Sequence, residues 1–598
     1  MRHRLLALAS LMLAISFASV QAEEAPDRIF VNARVWTADS AHPAAEAFAV
    51  AGDRFVAVGT EAEVSKLAGP DTTVVDLGGR RVLPGFNDAH WHLPARRSAR
   101  LDNAGSVGVI QQRLVDYART IPRTDWVVGR GWTPTDFPDR TADRRYLDAV
   151  LPDRPVVIRD RDGHQALANT RALAVAGIDR DTPDPPDGHV ERDANGEPTG
   201  LLKEAAASLV TGLLPPLTTD DTYQLLLAEL AAAASHGLTS LQDATDVGLT
   251  DNERSALMRA AAEGKLLVHY RASVPLEKDA TPEQLDRFVA MRDASRGQLL
   301  YYGFAKGMLD GTVDARTAFM LEPYVGGGTG LPMWSQADLD RTVAAYDRAG
   351  LQVQLHAIGD GAIRQALDAY ERAAKINGPR DRRHRVEHVE VPAIADLPRF
   401  RQLGVIASTQ AIFATPDPST LENYAPLVGP ERASRAQPFR LFDDAGALQA
   451  FGSDYPVYPM DPLLGIYTAI TRQTRDGTPE DGWFPANRIS VEAALLHYTR
   501  DAAYASFDEL DKGTISVGKV ADFVVLSRDI LDETPQRLLD TKVLLTVMSG
   551  RETFRDPRLA GRSESEPARQ SPDAANWQRP TALACRSRTP DGTVRRAP

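Results

Sequence analysis

The chain has a single cysteine, Cys585, in 598 residues. One thiol excludes an intramolecular disulfide and a cysteine-rich zinc site. Positive charge is in short supply: 68 Lys and Arg stand against 81 Asp and Glu, for a net charge of −13. That balance repels phosphate backbones and argues against a nucleic-acid partner. Long apolar runs are missing after the first segment, so no later stretch reads as a membrane span. What is present, 43% hydrophobic and 25% charged residues, excludes a collagen, a coiled-coil rod and a mostly disordered chain.

The first segment, residues 1–22, reads MRHRLLALASLMLAISFASVQA. Arg2 and Arg4 precede a charge-free apolar stretch, and Val20-Gln21-Ala22 ends it with small residues before Glu23. This is a secretory signal pattern with a cut expected after Ala22. The apolar stretch is short for a span of roughly 20 residues, so no membrane contact is expected once it is removed. The expected location is periplasmic or secreted, and a cysteine-poor exported chain suits the bacterial periplasm.

Short β-type runs at residues 29–37, 55–58 and 73–77 find matching runs at 513–527 and 543–548. They predict a small composite β-sandwich built from both chain ends, over residues 23–82 and 501–556. Residues 83–500 alternate strands with helices. Candidate strands lie at 82–87, 238–242, 266–272, 300–307, 351–356, 384–389, 405–410 and 448–453. Helical patterns include 222–235, 336–349 and 362–374. Eight such strands predict an α/β fold, a (β/α)8 TIM-type barrel. The connection over about 93–217 is too long for a loop and predicts an inserted subdomain. Residues 557–598 are rich in Ser, Pro and Arg and predict a disordered tail.

Chemistry-bearing residues gather at the predicted strand ends. His90 and His92 are two apart, so on a strand both imidazoles face one side and can grip one metal ion. The same spacing also fits two polar loop residues. Lys306, His356, His388 and Asp454 end the fourth, fifth, sixth and eighth strands. A buried ammonium among histidines is costly. Lys306 is therefore read either as an ion pair with a barrel acid or as a carboxylated amine bridging two metals. The histidines also fit satisfied core positions, and Asp454 a helix cap. Their joint placement on the C-terminal rim, where barrel enzymes put chemistry, favours a site.

VLPGFNDAHWH, FAKGMLDGTVDARTA, LHAIGDGAI, RVEHVE and FGSDYPV together resemble the amidohydrolase superfamily, in its amidohydrolase-3 branch. WVVGRGWTPTDFP, IRDRDGHQALANTRAL, GEPTGLLKEAA and YASFDELDKGTISVGKVADFVVLSRD extend the resemblance over about residues 27–554. It implies a metal-bearing barrel with a composite β-sandwich, and hydrolysis of a C–N bond, amide or formamide, by metal-activated hydroxide. Carried over, His90, His92 and Asp454 hold one metal, His356 and His388 the second, and carboxylated Lys306 bridges them. Asp454 passes the water's proton to the leaving nitrogen. Two zinc ions are the first expectation. A mononuclear site would need no lysine modification.

Phe413 stands where the branch often carries a histidine, which suggests a more apolar small-molecule substrate. His164 is expected to reach the pocket from the insertion, and Trp132 and Trp91 to line it or to pack as core. Asp243 is read as a structural hydrogen-bonding group, Glu204 as a helix-surface charge, and residues 359–361 as a turn. A homodimer is compatible with the superfamily. Two other functions fit the same residues: an ester or lactone hydrolase, and a non-catalytic periplasmic ligand-binding barrel.

Overall fold

The computed structural model describes residues 25–94 and 96–559. The expected signal segment with its Ala22 junction, most of the expected tail, and Cys585 lie outside the described residues. Eight parallel strands form the central sheet: β1 (Phe86–Trp91), β2 (Leu238–Asp243), β3 (His269–Pro275), β4 (Leu300–Met308), β5 (Gln352–Ala357), β6 (Arg385–His388), β7 (Ile406–Gln410) and β8 (Gln449–Gly452). They pair in chain order from β1 to β8. Most are buried on both faces, as a parallel sheet wrapped by helices requires. Just past β8, the Asp454 N–H donates to His90 O (2.7 Å) and the His92 N–H to Tyr455 O (2.9 Å), which brings the eighth strand back to the first. Gly452 permits that approach, because a methyl group there would collide with the His90 backbone. The result is a nearly closed TIM-type barrel.

The first strand starts later than its pattern suggests. Residues 82–84 finish the strand Thr73–Pro84 of a different sheet, and β1 begins at Phe86. Pro84 has no N–H to continue a ladder, and the Gly85 N–H is taken by Asp522 O (3.0 Å). Two helices begin earlier than their apolar pattern, one of them at a polar cap. Thr219–Ser235 opens with a capping box between Thr218 and Asp221. Asp360–Asn377 opens after Gly359.

Both chain ends meet in one hydrogen-bonded sheet of eight strands. It contains Arg28–Trp36, Ala44–Ala45, Ala47–Ala51, Arg54–Gly59, Thr73–Pro84, Phe523–Leu526, Val543–Met548 and Arg551–Arg555. Phe30, Phe48, Phe55 and Phe523 form its core, with Phe30 and Phe48 stacked at 4.8 Å. The expected composite unit is thus seen as a single continuous sheet. Its later part begins after residue 505, since Ala502 and Ala505 pack on the barrel.

The insertion carries a six-stranded sheet in the spatial order Gly188–Arg192, Pro198–Glu204, Gln165–Ala168, Val156–Asp160, Val127–Trp132, Ala99–Arg100. One face packs with Ile110 and Leu114 of the helix Val107–Thr120, the other with Leu173 and Val210. Among the described residues no helix is long and apolar enough to cross a membrane.

Candidate active site

The barrel interior under the C-terminal rim is polar. Fully buried Arg385 on β6 donates from Nε to Glu387 Oε1 (2.8 Å), from Nη1 to Gln242 Oε1 on β2 (2.6 Å) and from Nη2 to Ser408 Oγ on β7 (2.7 Å). Gln242 in turn donates to Asn87 Oδ1 on β1 (3.0 Å). The network fixes Glu387, whose other oxygen accepts from His90 Nδ1 at 2.6 Å. Anchoring Nδ1–H leaves the His90 Nε2 lone pair free.

That nitrogen is one corner of a tight group. His90 Nε2 and His92 Nε2 are 3.2 Å apart, and Asp454 Oδ1 lies 3.0 Å from His92 Nε2 and 3.5 Å from His90 Nε2. Zinc–nitrogen bonds of 2.0–2.1 Å in a tetrahedron imply ligand–ligand edges of about 3.3 Å. Two imidazoles and a carboxylate at these separations therefore fit one divalent cation. Among the described residues, this is the group of three or more His, Cys, Asp or Glu side chains close enough to share an ion. Asp454 reaches its place through a left-handed backbone (φ +55°). Beneath it, buried Asp88 accepts from the Ser453 N–H (2.9 Å) and Oγ (2.5 Å), and burial pushes its carboxyl up to about 7.

His388 and His356 stand next to this group. Their ring centroids are 4.5 Å apart, and the His388 ring is 4.7 Å from that of His90. His388 Nδ1 donates to Gln410 Oε1 at 2.9 Å, leaving its Nε2 free. His356 uses the opposite nitrogen: Nε2 faces Gly311 O at 3.3 Å and Asp310 Oδ1 at 3.6 Å. Asp310 is fixed by the N–H groups of Phe319, Ile358 and Gly359. Burial holds His90, His356 and His388 well below the usual imidazole range, which favours the neutral form that can act as a ligand. Lys306 lies two residues before the end of β4, buried in the same cavity, and burial lowers its proton affinity. His90, His92 and Asp454 thus meet atom to atom, while His356, His388 and Lys306 border the same space.

The cavity has a volume of about 650 Å³. Phe413 lines it, its ring parallel to His388 at 6.2 Å. His164 also lines it, 5.3 Å from the His356 ring. Trp132 does not. It lies 1% exposed in the insertion's own core, edge-on to Phe137, with Nε1–H on Ile158 O. A bulky apolar side chain on an inward strand position serves the subdomain, and the pocket expectation is corrected. Trp91 is likewise core, between Tyr270 and Tyr455. Asp243 makes the expected structural bonds, accepting from Thr245 and Tyr270.

Glu204 is not a helix-surface charge. It ends the strand Pro198–Glu204 and accepts from His164 Nδ1 (2.8 Å) and Thr317 Oγ1 (2.5 Å). Burial opposes a charge on His164, but the Glu204 carboxylate outweighs it and raises the imidazole to about 9. The pairing of Glu387 with Arg385 had a signal: two charged residues at i and i+2 in a strand buried on both faces need each other.

A match to the amidohydrolase family runs over residues 73–554. The chain is 32% identical over 543 residues to the Protein LONG AFTER FAR-RED 3 of Arabidopsis thaliana, covering 88% of this chain and 91% of that one. It is 32% identical over 502 residues to the Putative amidohydrolase YtcJ of Bacillus subtilis, covering 81% and 91%. It is 29% identical over 554 residues to an N-substituted formamide deformylase of Arthrobacter pascens, covering 88% and 97%. A crystal structure of an uncharacterized metal-dependent hydrolase from Pyrococcus horikoshii superposes with a TM-score of 0.66 at 25% identity, over 85% of this chain and 99% of that one. With its barrel and His–His–Asp group, the chain belongs to the amidohydrolase family, in its amidohydrolase-3 branch.

Proposed function

We propose that this protein is a divalent-metal-dependent hydrolase that breaks a C–N bond of the amide or formamide type in a small molecule held in the 650 Å³ cavity. The observation that carries this is the approach of His90 Nε2, His92 Nε2 and Asp454 Oδ1 to 3.0–3.5 Å of one another at the mouth of the barrel. His90, His92 and Asp454 would hold one cation, and His356 and His388 a second, with Lys306 carboxylated between them. When bound, such a cation polarises a substrate carbonyl and lowers the pKa of water.

The chain's own groups do the rest. Glu387 keeps the proton of His90 on Nδ1, and the hydrogen bond from Arg385 holds Glu387 in place. Asp454 has its second oxygen 3.9 Å from His388 Nδ1 and free of backbone donors, so it can take a proton from water and hand it to the leaving nitrogen. Phe413 offers an apolar wall to the substrate. Two zinc ions per chain and export through the signal segment belong to the same proposal.

The test is metal analysis of wild type, His90→Ala and His356→Ala, together with turnover of matched amide and ester substrates. The proposal expects two equivalents of metal in wild type, loss in each variant, and turnover of the amide. Folded variants that keep their full metal, or metal-loaded wild type that cleaves only esters, would end it.

A further inference from the structure

Two arginines on the insertion sheet form no ion pair with a described carboxylate. Arg130 on Val127–Trp132 and Arg159 on Val156–Asp160 are register partners in adjacent parallel strands, so their side chains leave the same face side by side. Two residues earlier on each strand, Val128 and Val157 are also partners and pack on that face. Both arginines line the catalytic cavity, Arg130 half-buried and Arg159 exposed to it. Neither forms an ion pair with any described carboxylate. Arg130 donates only to the Arg161 carbonyl (3.2 Å), and its buried Nε has no partner.

Like charges at paired sheet positions destabilise a sheet. The nearby acids act on them only through space, because each takes its hydrogen bonds from other groups. Glu204 is held by His164 and Thr317, and Asp160 by the Gln165 backbone (2.9 Å) and side chain (3.2 Å). Asp162 and Asp417 face Arg161 at 3.4 and 2.6 Å, and Asp314 accepts from Asn423. Both arginines line the same cavity as His90, His92 and Asp454, and the Asp454 carboxylate is among the charges acting on Arg130.

We propose that Arg130 and Arg159 form a receptor for a carboxylate carried by the substrate, so that the substrate class is an amide-bearing carboxylic acid anion, such as an N-acyl amino acid. Two guanidinium forks side by side match the two oxygens of a carboxylate. The proposal rests on the hydrolase reading for the word substrate, but the receptor itself is read by binding alone.

The experiment is calorimetric titration of the metal-loaded protein with benzoate and with its neutral isostere benzamide, in wild type, Arg159→Gln and Arg130→Gln. Wild type is expected to bind benzoate about tenfold or more tightly than benzamide, with the preference weakened by added salt. Arg159→Gln is expected to abolish the preference while leaving metal content and the benzamide titration unchanged. Absence of saturable benzoate binding, equal affinity for the two probes, or a preference that survives in both variants overturns the assignment. The last result would place the anion on the metal. Failure to hydrolyse any amide, with the benzoate preference intact and Arg-dependent, would count against the hydrolase reading and not against the receptor.

Discussion

His90 Nδ1 lies 2.6 Å from Glu387 Oε2, and neither side chain meets solvent. The contact joins β1 to β6 across the barrel interior and decides which nitrogen of His90 can face a cation. Glu387→Gln removes the charge and keeps the shape. We expect metal affinity at the His90–His92–Asp454 group to fall about 10- to 100-fold. Competition with a chelator of known affinity measures it, and an unchanged affinity would show that Glu387 serves only Arg385.

Gly452→Ala tests the closure of the barrel. The added methyl group meets the His90 backbone and Cβ, so β8 must move away from β1. The expected cost is about 1–3 kcal/mol in denaturant unfolding, with a loss of bound metal because Asp454 follows two residues later. Full stability with full metal content would contradict the close approach of these strands.

Trp132→Ala separates core from pocket. Loss of a buried tryptophan is expected to cost about 3–5 kcal/mol of the insertion's stability. The milder Trp132→Phe should keep KM for any substrate at the wild-type value. A raised KM with unchanged stability in Trp132→Phe would restore a substrate-binding role.

His497 gives a pH dependence outside the site. Buried at the end of Val491–Tyr498, it faces Asp501 (2.9 Å) and Asp443 (3.2 Å). Burial opposes its charge, but the two carboxylates raise it to about 9. A raised imidazole stabilises the folded state fully below its unfolded pKa of about 6.5 and loses that contribution as pH rises through about 9. The stability advantage of wild type over His497→Gln should therefore be largest near pH 6 and shrink as pH climbs through about 9. A gap that widens with pH would reverse the sign and reject the charged pairing.

Much of the site could be read from the chain because its residues end strands that have strong apolar patterns. His356 follows VQL and Asp454 follows FGS, each on the rim of a buried strand. What the pattern hid depends on backbone turns. Strict alternation would send Glu387 and His388 to opposite faces, but His388 and Val389 adopt φ of +71° and +50°, and both side chains turn to the site. Glu204 was misplaced for a similar reason. The run of alanines after it suggests a helix, yet Glu204 itself closes a strand with φ +50° and points at His164. The composite sheet was visible as two β-rich ends, but the start of β1 was not, because residues 82–84 carry an apolar pattern that suits either sheet.

The sheet that unites residues 28–36 with residues 523–555 has a consequence for biogenesis. The strands of residues 28–84 leave the ribosome before their later neighbours, from which the whole barrel separates them. Thr73–Pro84 gains its partner Phe523–Leu526 only once the barrel has been synthesised. Until then one edge of that strand stays unpaired, so this sheet is completed only after the barrel between its two halves has been made.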